Sequence, residues 1–219
     1  AVAEVDCIGC WFPGQVGGGE YADLLRQLTP ERVIPLAAAL GARSVTVVEM
    51  CGVTPDTDLA ASHFGRLCDL AADHGLIAHI EFLPFGGIPD LTAAWRIVQG
   101  ADRPNGKLTI DVWHLFRSGS TLAQLAGLPG TAIGSVQLDD APADAAGDSF
   151  TETMTARLLP GEGQLDVVGV IRTLDAIRSA APIGIEVFNT RQNLQTLPEI
   201  AGDWSRALQA VLQQARGSA

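Results

Sequence analysis

Apolar and polar positions along this chain keep two periods in alternation. Runs rich in β-branched and apolar residues over Val2–Trp11, Ser44–Met50, Leu76–Leu83, Leu108–Trp113, Ala132–Leu138 and Ile183–Phe188 predict six strands. Between them, helical spacing predicts Tyr21–Leu40 with an internal restart at Thr29-Pro30-Glu31, Asp58–His74 ended by Gly75, and Asp90–Val98. Thr121–Leu128 reads as a short helix stopped by Pro129-Gly130, and Leu165–Ser179 follows after a long loop. Its Val167, Val170, Ile171, Leu174 and Ile177 lie where one buried face requires them. Pro198–Gln214 closes the pattern with Ile200, Trp204, Leu208 and Val211 on one side. Strands that are apolar almost throughout, separated by helices, predict a parallel sheet covered by helices.

Four polar residues interrupt these strand-like runs: Glu81, Asp111, Gln137 and Glu186. An unpaired carboxylate in a low-dielectric site costs several kcal/mol or neutralises itself. One such residue per strand, on four strands, points to convergence on a shared positive charge, most simply a metal ion. The same residues lie toward the C-terminal ends of their strands, where barrel active sites are built. Neither G-x-G-x-x-G nor G-x-x-x-x-G-K-[ST] occurs, so the nucleotide fingerprints of open sheets are missing. A barrel is therefore preferred to a doubly wound sheet.

Composition narrows the partners. The chain has 219 residues, 47% of them apolar and 18% charged, as in a well-buried globular protein. A net charge of −11 argues against a nucleic-acid backbone, which needs clustered Lys and Arg. No apolar run reaches the roughly 18 to 20 residues of a membrane span, and no signal-peptide pattern is seen. The expectation is a cytoplasmic protein with a small-molecule substrate, no nucleic acid and no membrane, and with homo-oligomerisation left open. Cys7 and Cys10 form a C-x-x-C, but inside a strand-like run such positions face opposite sides. They are expected, with Cys51 and Cys68, to be free buried thiols.

Glu81 in "HIEFLPF", Asp111 and His114 in "LTIDVWH", Gln137 and Asp139 in "SVQLDD", Arg157 with "LLPGEG" and Glu186 in "GIEVF" together resemble the xylose-isomerase-like TIM-barrel superfamily of sugar-phosphate isomerases and epimerases. The resemblance implies a single (β/α)8 barrel domain over residues 1–219, holding strands three to eight and their helices. The first two βα units of that pattern, roughly fifty to sixty residues, have no counterpart in this sequence. An open barrel would expose two strand edges, which favours a segment outside the sequence given.

By resemblance, Glu81, Asp111, Gln137 and Glu186 bind one divalent cation. Many isomerases and epimerases have His where this chain has Gln137, which leaves an all-oxygen shell suited to Mg2+ or Mn2+. Gln there also resembles the bacterial 3-dehydroshikimate dehydratases. The resulting expectation is a metal-dependent isomerase or epimerase acting on a small hydroxy-carbonyl substrate through an enediolate, with a dehydratase or a non-enzymatic metal-binding barrel as alternatives. Glu81 and Glu186 are expected as the acid/base pair and His114 as a further acid. Arg157, Asp139, Trp113 and Phe85 are expected to line the substrate site, with Phe82 and Phe188 beside the ligand positions. His79 is read as a core histidine, His74 as a helix-end residue and His63 as a surface residue. Asp140 is read as solvated, Glu49 as pocket wall or solvent-facing, and Gly17-Gly18-Gly19 as a loop that cradles no phosphate.

Overall fold

A computed structural model describes residues 3–16, 22–145 and 147–217; the Gly17–Gly19 expectation falls outside these. The chain divides into two compact units, Ala1–Thr109 with Ala132–Gly134, and Ile110–Thr131 with Ser135–Ala219.

The first unit holds β1 (Glu4–Ile8), α1 (Ala22–Leu25), α2 (Pro30–Ala39), β2 (Ser44–Val47), α3 (Thr57–Asp73), β3 (Ile77–Ile80) and α4 (Leu91–Ala101). It also takes β4 (Gly106–Asp111) as far as Thr109, and the first residues of β5 (Ile133–Leu138). β1 pairs with β2, β2 with β3 and β3 with β4, all in parallel. The second unit continues β4 and β5 and adds α5 (Val112–Arg117), α6 (Leu122–Ala126), α7 (Ser149–Thr155), α8 (Val167–Ala176), β6 (Ile183–Ile185) and α9 (Leu197–Arg216). There β5 pairs in parallel with β6. Within each unit the order of strands in the sheet is their order in the chain, without the reversal of a doubly wound sheet. Both faces of β2 and β5 are buried throughout, which explains their apolar runs.

Helix starts follow side-chain chemistry. The carboxylates of Asp56, Asp90 and Asp166 accept the N–H groups of Leu59, Ala93 and Gly169 at 2.9, 2.8 and 2.8 Å, opening α3, α4 and α8. The long helix expected over Tyr21–Leu40 is broken where Thr29-Pro30 restarts it, because proline belongs in a first turn. Two short helices had no counterpart in the sequence reading. α5 begins directly after Asp111, inside the run read as strand to Trp113, and α7 lies in the stretch read as a long loop. α9 spans the expected closing helix, but of its apolar face only Val211 is fully buried. No helix among the described residues is long and apolar enough to cross a membrane.

Glu49 is buried and accepts backbone N–H groups from Cys51 at 3.0 Å, Gly52 at 3.1 Å and Gly87. It is neither solvent-facing nor a pocket wall, but ties two loops together. A Cβ on Gly87 would stand 2.7 Å from that carboxylate and 2.0 Å from the Val53 carbonyl oxygen, so only glycine fits the approach. None of the four cysteines is in a disulfide, and against the expectation of buried thiols only Cys68 is buried; Cys7, Cys10 and Cys51 are partly exposed. Burial pushes the Cys68 thiol up to about 12.

His79 is a core residue, as expected. Its Nδ1 lies 2.7 Å from the Thr109 hydroxyl, and its Nε2 is 3.6 Å from the Glu4 carboxylate, which accepts from Thr46 at 2.5 Å. Burial lowers its pKa to about 4; Glu4 works against that shift and Lys107 with it. The neutral ring is thus the folded form. Its contribution is complete above the unfolded value near 6.5 and is lost as pH falls toward 4. We expect unfolding free energy to drop by about 2 to 3 kcal/mol across that window. Urea unfolding of wild type and His79→Asn at several pH values checks this: the variant should lose most of the slope, and an unchanged slope would refute it.

Candidate active site

Asp111 ends β4 and also caps α5, its Oδ1 accepting the His114 N–H at 2.7 Å. One carboxylate thereby stops a strand, starts a helix and presents its second oxygen inward. Asp139 follows β5 and accepts the Trp113 N–H at 2.8 Å on Oδ1. Glu186 follows β6, its N–H donating to the Leu138 carbonyl at 3.2 Å. Its carboxylate accepts from the Gln137 amide at 3.2 Å.

These groups gather around one guanidinium. Arg157 Nη1 donates to Asp111 Oδ2 at 2.6 Å and Asp139 Oδ2 at 2.8 Å, and lies 3.5 Å from Glu186 Oε2. Nη2 donates to Thr153 Oγ1 at 2.5 Å and meets His114 Nε2 at 3.2 Å, while Nε donates to Thr153 at 2.9 Å. The guanidinium lies over the Trp113 and Phe188 rings, 5.5 Å from each centroid. Arg157 is 2% exposed, which excludes a surface salt bridge. A guanidinium can only donate, so this contact is a hydrogen bond in the tautomer whose Nε2 is unprotonated.

The electrostatics are short of positive charge. Burial raises the Asp111 carboxyl, but Arg157, His114 and hydrogen bonds outweigh it and hold the group below the usual range. Asp139 moves the other way: burial and the Asp111 charge lift it well above the ordinary value despite Arg157. Burial lowers Arg157, and its three carboxylate neighbours more than reverse that. One guanidinium therefore faces three carboxylates. Beside them the Gln137 amide oxygen is buried without a hydrogen-bond partner, although its nitrogen is engaged by Glu186. An orphaned carbonyl beside the Glu186 carboxylate fits a divalent cation held by Asp111, Gln137 and Glu186.

A layer beneath supports the cluster, and the sequence reading did not find it. Glu152 on α7 is buried and accepts from Arg117 Nη2 at 2.6 Å and Trp113 Nε1 at 3.4 Å. Arg117 Nη2 also donates to the Pro142 carbonyl at 2.8 Å. Asp140, expected to be solvated, is 1% exposed. Its carboxylate accepts the N–H groups of Ala141, Gly161 and Leu165 at 2.8, 3.0 and 2.9 Å, because the "LLPGEG" loop folds over it. Asp140→Ala would strand those donors at a cost of about 2 to 4 kcal/mol. A thermal melt should show a fall of several degrees, and an unchanged melt would remove the assignment.

Of the expected site residues, Asp111, Trp113, His114, Gln137, Asp139, Arg157 and Glu186 all lie in the second unit. Glu81 and Phe85 belong to the first. Glu81 follows β3, 5% exposed, its N–H donating to the Val47 carbonyl at 3.0 Å. Phe85 sits half-buried in the turn between Leu83 and Ile88.

Residues 29–213 match the model of the xylose isomerase-like TIM barrel family. The chain belongs to this family. The six parallel strands of this xylose isomerase-like chain are thus those of an α/β TIM-barrel fold. It is 33% identical over 132 residues to 3-dehydroshikimate dehydratase of Pseudomonas aeruginosa, covering 60% of this chain and 21% of the relative. Inosose isomerase of Bacillus licheniformis is 29% identical over 128 residues, covering 56% of this chain and 44% of that protein. The chain spans about a fifth of the first relative and less than half of the second. A solved structure of the IOLI protein with a binding zinc atom superposes with a TM-score of 0.77 at 21% identity, over 86% of this chain and 69% of that one.

Proposed function

We propose that this chain is a divalent-metal-dependent enzyme that removes a carbon-bound proton beside a carbonyl of a small polyhydroxylated substrate. The observation that carries this reading is the buried cluster in which Arg157 faces Asp111, Asp139 and Glu186 beside the unpartnered Gln137 carbonyl. Asp111, Gln137 and Glu186 would hold the cation, with Glu81 retained as fourth ligand on the strength of the sequence. Oxygen donors favour Mn2+ or Mg2+. The cation would supply Lewis-acid stabilisation of developing negative charge on the substrate oxygens. Glu186, part-exposed and at a strand end, takes the proton. His114, buried against Arg157 Nη2, would be the acid that protonates a leaving hydroxyl. Asp139 fixes the start of α5 and holds Arg157, while Trp113 and Phe188 supply apolar ring surface against the guanidinium.

Dehydration is the preferred outcome. Gln137 matches the residue that the dehydratase resemblance implies, and the Pseudomonas relative carries that name. Isomerisation or epimerisation is the second reading, favoured by the Bacillus inosose isomerase. Both start with the same proton removal. Mn2+-loaded protein in D2O, given 3-dehydroshikimate and separately inososes, separates them. Dehydration loses one water and generates ultraviolet absorbance, whereas isomerisation keeps the substrate's composition and gains deuterium. Absence of both metal-dependent turnover and metal-dependent exchange with every substrate would refute the proton-abstraction reading.

A further inference from the structure

Thr153 lies in α7, one of the two short helices that the hydrophobic pattern does not mark, yet its hydroxyl meets the guanidinium at the centre of the site. A guanidinium has five N–H donors in a rigid plane. Every nitrogen that carries them on Arg157 is engaged: Nε and Nη2 donate to Thr153, Nη2 also lies 3.2 Å from His114 Nε2, and Nη1 donates to Asp111 and Asp139. The Trp113 and Phe188 rings pack against the guanidinium, each with its centroid 5.5 Å from Cζ. Rotation within the guanidinium plane is opposed at the Nε/Nη2 edge by the Thr153 oxygen. The Arg157 backbone is held separately: its N–H donates to the Phe188 carbonyl at 3.2 Å and its carbonyl accepts from Asn189 at 2.7 Å. Removing the hydroxyl therefore leaves the chain path intact and frees only the side chain.

We propose that Thr153 is a positioning residue, its hydroxyl seating the Nε/Nη2 edge of Arg157 so that Nη1 stays on the carboxylates and Nη2 on His114. Its catalytic consequence rests on the function proposed above; its hold on Arg157 does not. Thr153 is 2% exposed, so water cannot readily replace it. Thr153→Val keeps the β-branched shape and removes the acceptor, and Thr153→Ser restores it. Among the arginine Nε–H resonances of the 15N-labelled full chain, Arg157 should show slow solvent exchange in wild type and Thr153→Ser. In Thr153→Val it should exchange clearly faster than in wild type while the backbone spectrum is preserved. On whichever substrate shows turnover, kcat should fall roughly ten- to a hundred-fold in Thr153→Val with KM little changed, and recover in Thr153→Ser.

A slow Arg157 Nε–H in Thr153→Val overturns the proposal. If the valine variant does not fold, Thr153→Ala takes its place: fast exchange there supports the hold and slow exchange overturns it. Loss of protection in a protein that turns over none of the substrates supports the hold on Arg157 while refuting the proposed reaction, so the two failures stay distinct.

Discussion

Glu186→Gln is expected to lower turnover by about 10²- to 10⁴-fold, the usual range for loss of a positioned acid or base. The amide keeps the length and most of the shape of the carboxylate and can still accept from Gln137, so folding should survive. It cannot take a proton at neutral pH, and it removes one negative charge from the cation site. Metal affinity should therefore fall along with turnover, and Mn2+ titration followed by calorimetry reads the two effects separately. The substitution is informative because Glu186 is the most accessible of the carboxylates facing Arg157: its side chain is 24% exposed, while those of Asp111 and Asp139 are fully buried. Activity within a few-fold of wild type would remove Glu186 from the chemistry and with it the proton-abstraction reading.

Arg157→Met should be the most destabilising single change in the second unit. It leaves Asp111 and Asp139 buried beside each other with their cation gone, and removing one partner of a buried ionic cluster costs about 3 to 5 kcal/mol. For a chain of this size that corresponds to a fall in Tm of roughly 6 to 20 °C. The defect should shrink as pH falls, because protonated carboxyls no longer repel. It should also shrink when Mn2+ is added, since a bound divalent cation supplies the missing charge and stabilises the folded state by mass action. Melts at two pH values with and without Mn2+ test both points. A variant as stable as wild type would show that the carboxylates do not depend on Arg157.

These outcomes turn on side chains that differ in how visible they are in the sequence. Asp111, Gln137 and Glu186 stand out because each ends an apolar run that has no other reason to be polar. Arg157 could be placed at the site only through its neighbourhood to "LLPGEG", and its burial inside a ring of acids is not written in any local pattern. Asp140 sits beside Asp139 in "QLDD", and one-dimensional reading gives both the same polarity. The fold assigns one to the guanidinium and the other to three loop N–H groups. Thr153 and Glu152 lie on a helix too short to develop a readable period. Their neighbours Phe150 and Met154 are exposed, so the apolar residues of α7 point the wrong way for a core-facing stripe. Helix α5 was hidden for the opposite reason: "VWHLF" is apolar on every side because it is buried on nearly every side.

What the sequence determined by itself is the alternation of six strands with helices, the parallel arrangement that follows, and the strand-end positions of the acidic and amide groups. Periodicity of burial is a local property, and each of these is a statement about local periodicity. Only the tertiary structure decided which groups meet: that one arginine faces three carboxylates, that Thr153 meets its other edge, that His114 Nε2 stands against Nη2, and that the Gln137 carbonyl is left without a partner. Those pairings join residues up to 49 positions apart, as with Gln137 and Glu186. Their energies depend on a low-dielectric surrounding that exists only once the helices have closed over the strand ends.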